Sequence, residues 1–428
     1  MPESKYPGTK TIHRHLLPNG LTILVFENPI TDSIVVEGLI RAGALVETRS
    51  NAGRASFTTE MLMRGTNKRS FEKIYEDIES VGASLGFSAG RHISEFSGAC
   101  LAEDLDLLLN MLAESLREPA FPAKQVEQVR SEFLTSMQIR ANDTRFRAAQ
   151  GFRELLYDDH PYGQIVDGYP ESVTRIEAED LAQFHRDYYG PKGMIITLVG
   201  AVESSQVVKK VEAAFGDWPP ANSDMPQAPD APGLKQGQRV FVPMDDKSQS
   251  DIVFGVPGPR RSEADYLEAS IANTVLGVFG MMGRLGQSVR IEQGLAYYAY
   301  SQLHGGLGPS PWSVSTGVAP QNVEQAIDSV LHEIDRLLKE PIPEEELEDT
   351  KAFRTGSLPV GLETNGGLAG IITDMEFYEL GLDYLQMLPD RIKAMTADTV
   401  QAAARRYLDI DKLAISVAGP ANNAEEDE

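Results

Sequence analysis

Two segments of this chain follow the same pattern, and that repetition limits the fold more than composition does. Near the middle stands "TRIEAEDLAQFHRDYYGPKGMIITLVGAV", and near the end "KAMTADTVQAAARRYLDIDKLAISVAGPA". Each has an acid-rich helix start, an amphipathic helix ending in an aromatic, a short turn, an apolar strand and a glycine. Aligning Gly200 with Gly419 keeps the whole motif in register. A second echo lies upstream, where "REPAFPAKQVEQVRSEFL" matches "KEPIPEEELEDTKAFRTG" as a proline-bounded turn leading into a charged helix. Two echoes in the same order imply duplication, and so two homologous domains rather than one long core. Between them, residues 218–238 ("WPPANSDMPQAPDAPGLKQGQ") hold five prolines among small polar residues. Proline interrupts helices and central strands, so this stretch reads as a linker. The expected domains are 1–217 and 239–428.

Within each half, strands come in adjacent groups with helices between the groups. "LTILVFE" and "SIVVEGLIRAG" are strand-like, with a hairpin-like loop between them. "SFEKIYEDIESVGA" places Phe71, Ile74, Ile78 and Val81 on one helical face. "ISEFSGACL" returns to strand, and "EDLDLLLNMLAESLRE" is a long amphipathic helix. The expected class is α+β, an antiparallel-rich sheet packed with helices in each domain, rather than a doubly wound parallel sheet.

A formal charge of −24 argues against a nucleic-acid backbone or an anionic membrane as partner, and suits a basic or unfolded polypeptide. No apolar run approaches the roughly 20 residues that span a bilayer. The opening "MPESKYPGTKTIHRHLLPNG" has no apolar signal region, so the expected location is cytoplasmic. A lone cysteine, Cys100, excludes an internal disulfide and a cysteine-based zinc cluster, and its context reads as a small buried residue on a strand.

Residues 51–66, "NAGRASFTTEMLMRGT", look like a metal-binding helix without a histidine. Together with "LPNGLTILV", "AGALVET", "DDHPYGQ", the "LVG" strand and the region 247–300, they make the chain resemble the pitrilysin/insulinase-like zinc peptidases. That family includes mitochondrial processing peptidases and bacterial two-subunit peptidases. The resemblance implies two α+β halves and a chamber for unfolded peptides. Active members carry His-x-x-Glu-His on this helix: histidines at i and i+4 share a face and grip Zn²⁺, and the glutamate polarises the attacking water. A typical family helix reads "GLAHFLEHMLFKGT"; here it reads "GRASFTTEMLMRGT". Ser56 and Glu60 therefore stand at the histidine positions and Thr59 at the general base. The family's third ligand, a later glutamate, falls at Ser136 or its neighbour Met137, with Glu132 one turn away. The expectation is no catalytic zinc in this chain. The remaining histidines form no constellation; His13 and His15 read as a chance strand pair, and His160 in "DDHPYG" as a turn residue.

The second half keeps "VRIEQGLAYYAYS", similar to the family's "iRekrGLAYsvyS". Locally it reads as a helix stopped at Gly294 and a strand whose alternation puts Leu295, Tyr297, Ala299 and Ser301 on one face. On residues alone, Arg290 is a helix C-terminal cation and Tyr297 an ordinary strand tyrosine. The resemblance implies more. It maps a functional arginine–tyrosine pair onto Arg290 and Tyr297, which in the family reach a zinc site in the facing half or subunit and stabilise the transition state. Tyr298, on the opposite face, is the less suited partner. The expected function is a zinc-less subunit of a heteromeric metalloendopeptidase, with a homologous zinc-bearing partner, unfolded peptides as substrates and a homodimer as its form in isolation. The alternative is a structural or peptide-binding subunit.

Overall fold

A computed structural model describes residues 6–278 and 283–421. Two sheets carry the fold. The first holds β1 (Ile12–Leu16), β2 (Thr22–Glu27), β3 (Ser33–Ile40), β4 (Ser84–Ala89), β5 (Ser94–Leu101) and β6 (Ile195–Gly200), in the order β1-β2-β6-β3-β5-β4. The second holds β7 (Gln238–Pro243), β8 (Ser250–Pro257), β9 (Ala296–Leu303), β10 (Pro311–Val318) and β11 (Ala414–Gly419), in the order β7-β11-β8-β10-β9. Without β1 the two topologies are the same. In each, one parallel pair (β2 with β6, β7 with β11) sits in an otherwise antiparallel sheet. The α+β reading with two homologous domains holds. The paired motifs recur in register as well: the helices Ala178–Tyr188 and Ala397–Tyr407, and the strands β6 and β11, are each offset by 219 residues at both ends (397 − 178, 407 − 188, 414 − 195, 419 − 200).

Two features differ from the sequence reading. β2 and β3 form no hairpin, because β6 lies between them, parallel to one and antiparallel to the other. The compact units are also not contiguous halves. One comprises Met1–Thr135, Ile165–Pro226 and Leu358–Pro389; the other comprises Ser136–Gln164, Gln227–Ser357 and Asp390–Glu428. The chain changes unit inside the proline-rich stretch, as its composition suggests, but also inside the helices Ala123–Ala141 and Glu344–Gly361. Each of these helices breaks and is followed by a freshly capped one. Asp143 accepts from Phe146 N–H (2.7 Å) to start Thr144–Tyr157, and Thr364 accepts from Gly367 N–H (3.0 Å) to start Asn365–Phe377. Thr144–Tyr157 packs on β7, β8 and β11 of the second unit, and Asn365–Phe377 on β2, β3 and β6 of the first.

In the first unit, Leu105–Arg117 and Ser204–Phe215 cover one sheet face, closing a core of Ile23, Val25, Val36, Leu198, Leu112 and Phe215. The opposite face takes Asn365–Phe377, and there the hydroxyls of Thr197 and Thr373, both buried, hydrogen-bond at 2.7 Å. Among the described residues, no helix is long and apolar enough to cross a membrane. Because a buried hydroxyl without a partner keeps its full desolvation penalty, Thr197→Val should lower stability by about 1–3 kcal/mol. The double variant Thr197→Val/Thr373→Val should recover part of that loss in denaturant unfolding.

Candidate functional site

The helix expected over 51–66 is regular only over Arg54–Met61 and packs into the core, with Phe57, Met61 and Leu62 all at 0% exposure. Its start is held by Glu47, 5% exposed, whose carboxylate accepts from Gly53 N–H (2.8 Å) and Ala55 N–H (2.6 Å). Burial pushes this carboxyl up from its ordinary 4.5 to about 7, against the pull of the two N–H donors and of the cations Arg54 and Arg91.

On the helix itself, each position where the metal chemistry would sit is already occupied by another bond. Ser56 Oγ donates to Asp167 Oδ1 (2.8 Å). Thr59 is 2% exposed and donates to Ala55 O (2.8 Å); its hydroxyl also meets Ser94 Oγ (3.1 Å) and Tyr189 Oη (2.9 Å), which lie 3.0 Å from each other. A buried hydroxyl triangle thus fills the place of the general base. Glu60 is paired with Arg64 (2.8 Å), and the same guanidinium reaches Glu132 (2.7 Å) on Ala123–Ala141 while lying over the Phe71 ring. Ser136 is exposed and belongs to the second compact unit, and Met137 is a buried thioether. A tetrahedral zinc site needs three imidazole, thiolate or carboxylate ligands. Two bonded hydroxyls, and a carboxylate already neutralised by a guanidinium, do not fit one.

In the second unit, residues Gly286–Glu292 form a π-helical turn rather than the expected α-helix, anchored by buried Leu285, Gly286 and Val289. Gly294 adopts φ +64°, and across it Leu295 N–H donates to Val289 O (3.1 Å). A Cβ there would meet nothing within 4 Å, so the left-handed backbone alone favours glycine. Arg290 on the turn is exposed, and Tyr297 on β9 is 61% exposed. Neither side chain has a hydrogen-bond or ion-pair partner among the described residues. The expected strand alternation fails at Tyr297: Ala299 and Ser301, its supposed face-mates, are buried. The cause is a β-bulge, since Gly317 pairs with Tyr298 and Val318 with Ala296, which leaves Tyr297 unpaired. Tyr298 is tied down instead. Its hydroxyl donates to Asp251 Oδ1, and Arg145 stacks on its ring at 4.1 Å. Burial, aided by the Asp251 carboxylate and opposed by Arg145, pushes this phenol above its ordinary range.

The family model described as insulinase (peptidase family M16) matches residues 22–157, and the one described as peptidase M16 inactive domain matches residues 175–353. The chain belongs to peptidase family M16. An uncharacterized zinc protease of Streptomyces coelicolor is 27% identical over 421 residues, covering 96% of this chain and 90% of that protein. The beta subunit of the mitochondrial-processing peptidase of Saccharomyces cerevisiae is 25% identical, covering 87% of this chain and 82% of its own length. A crystal structure of a peptidase M16 inactive domain from Pseudomonas fluorescens superposes with a TM-score of 0.88 at 25% identity, covering 96% of this chain and 98% of that one. A Helicobacter pylori protease shares the fold, with a TM-score of 0.90 at 19% identity over 97% and 100% of the two chains. Within the M16 family this chain has neither histidine nor the glutamate of the zinc helix, and the model described as an inactive domain matches its second part.

His160 accepts from Tyr162 N–H through Nδ1 (3.1 Å), so it is the turn residue that its context suggested. Among the described residues no group of three His, Cys, Asp or Glu side chains is placed to hold a metal. Sequence reasoning missed Arg64, although the family pattern places a cation in the same spot ("FKGT" against "MRGT"). It also missed Glu47, which lies inside the "AGALVET" stretch.

Two outcomes follow from this geometry. Arg64→Ala should cost about 1–2 kcal/mol, since the guanidinium is mostly buried while its two carboxylates are nearly half exposed, and the cost should shrink with added salt. Glu47 is a carboxyl whose folded-state pKa lies above its unfolded value. Its contribution to stability is fully present below pH 4.5 and is lost as pH rises towards about 7. Denaturant midpoints across that window should fall less steeply with pH in Glu47→Gln than in the unmodified chain.

Proposed function

We propose that this chain is the zinc-less subunit of a heteromeric M16 metallopeptidase, donating Arg290 and Tyr297 to the zinc site of a homologous partner. One contrast carries the reading. Every side chain at the zinc-helix positions is bonded within its own unit, whereas Arg290 and Tyr297 are exposed and have no partner among the described residues. Surface arginine and tyrosine without partners are common singly; here they flank the left-handed Gly294, with Tyr297 on the bulge itself, and that backbone setting supports reading them together. A guanidinium and a neutral phenol both donate hydrogen bonds, and both suit an oxygen that gains negative charge as water adds to a peptide carbonyl. A yeast relative is itself one subunit of a processing peptidase, which agrees with a divided enzyme. Zinc, the partner and unfolded peptide substrates belong to this reading, as does a homodimer of the chain when its partner is absent.

The chain alone should show no peptidase activity on an unstructured peptide, and mixing with an M16 homologue that carries His-x-x-Glu-His should restore it. Arg290→Ala and Tyr297→Phe should each lower kcat of the mixture by about 10²–10³-fold, the usual loss for an oxyanion donor. Unchanged activity, with peptide still bound, would sink donation and leave the structural or peptide-binding role.

A further inference from the structure

Tyr297 stands on β9, the edge strand of its sheet, at a residue that pairs with nothing on β10. A bulge on an edge strand has neighbours on one side only, so its conformation has to be fixed by side chains. On the inward face the anchor is Ser301, which donates to Asn273 Oδ1 (2.5 Å) and accepts from Trp312 Nε1 (3.2 Å). On the outward face the anchor is Tyr298. Tyr298 on β9, Gly317 on β10 and Asp251 on β8 lie side by side in register across three strands. With no side chain at Gly317, the Tyr298 ring crosses β10 and delivers its hydroxyl to Asp251, which is 1% exposed. A Cβ at residue 317 would lie 2.4 Å from Tyr298 Cε1 and 3.1 Å from Asp251 Oδ1. The carboxylate is held in turn by Thr144 Oγ1 and by Gln249 Nε2 (3.2 and 3.1 Å), while Arg145 stacks on the ring and donates to the phenol oxygen at 3.3 Å.

We propose that the Tyr298–Asp251 bond across Gly317 is a latch that sets the bulge and so aims the Tyr297 hydroxyl. Tyr298, Asp251, Gly317 and Arg145 are then positioning residues, with no contact to substrate of their own. This inference rests on the donation of Tyr297 argued above. The latch explains why two adjacent tyrosines on one strand have opposite fates: one is consumed in fixing the backbone so that the other can remain unpaired yet directed. It also assigns a role to the helix Thr144–Tyr157, whose first two residues supply Thr144 and Arg145.

The test uses the full chain with a zinc-bearing M16 homologue and an internally quenched unstructured peptide. Tyr298→Phe should lower kcat by about 10–100-fold at unchanged KM, the scale of loss when a reacting group is misplaced by about 1 Å. Gly317→Ala, which displaces the ring and keeps its hydroxyl, should do the same. Tyr297→Phe/Tyr298→Phe should be no slower than Tyr297→Phe alone, because a positioning residue acts only through the group it places. In the chain by itself, Tyr298→Phe should speed amide exchange at residues 295–299 and leave β7 and β11 unchanged. If Tyr297→Phe loses activity but Tyr298→Phe does not, if the two losses multiply, or if exchange at 295–299 does not move, the latch is overturned and the donation reading stands. If Tyr297→Phe keeps full activity, the donation reading falls and the positioning claim falls with it.

Discussion

The strands β6 and β11 are apolar and buried along nearly their whole length, and the rest of the architecture answers that constraint. A strand buried on both faces obliges its sheet to be covered on both faces. Each sheet gets one cover from helices near it in sequence, such as Leu105–Arg117 and Ser204–Phe215 in the first unit. The second cover is the helix that follows the long charged helix of the other repeat. Asp143 and Thr364 make this possible by restarting a helix after a break, so that the covering helix takes its own direction. Thr197 and Thr373 then place a polar bond inside the contact, one that gains energy only when that helix is seated in one register.

Much of this architecture was legible in the chain because it is periodic. The shared 219-residue offset of two helices and two strands is a property of the sequence that the fold repeats without slippage. The helix exchange was not legible. "TRFRAAQGFRELLY" and "NGGLAGIITDMEF" show a face to be buried, but a face does not name the sheet that buries it. The β2–β3 hairpin misled for the same reason: two strand-like runs and a loop look alike whether they pair or admit β6 between them. At the proposed site, the motif singles out Arg290 and Tyr297 in the sequence, but the bulge that carries Tyr297 could not be read there. It depends on Tyr298 finding Asp251, 47 residues away on another strand, past a glycine on a third.

The zinc helix survives its loss of chemistry because other bonds now link the elements around it. In an active member a metal ties this helix to a later one through ligands on both. Here the Arg64 guanidinium joins Glu60 to Glu132 on Ala123–Ala141, and Phe57 stacks on Phe133 of the same helix with centroids 5.3 Å apart. A guanidinium is planar, permanently charged and able to serve two carboxylates at once. It can replace the metal as a cross-link, but it cannot replace it as a Lewis acid. The hydroxyl triangle of Thr59, Ser94 and Tyr189 satisfies buried polar groups in the same way, and a neutral hydroxyl is too weak a base to stand in for the carboxylate.

Satisfaction of polar groups therefore separates the tyrosines that packing explains from the one the proposal assigns to function better than residue type does. Tyr189, Tyr297 and Tyr298 are the same side chain in three states. The first is buried and bonded to two hydroxyls; the last is bonded to a carboxylate and stacked by an arginine; Tyr297 alone of the three is exposed and without a partner among the described residues. Burying a polar group without a partner is costly, so the bonded tyrosines need only packing to explain them. Holding an exposed tyrosine on a bulge beside a tied one brings no comparable gain in stability. Under the proposed donation, that arrangement answers to an interaction formed when another chain or a peptide arrives, and Arg290, exposed on the other side of Gly294, would share it.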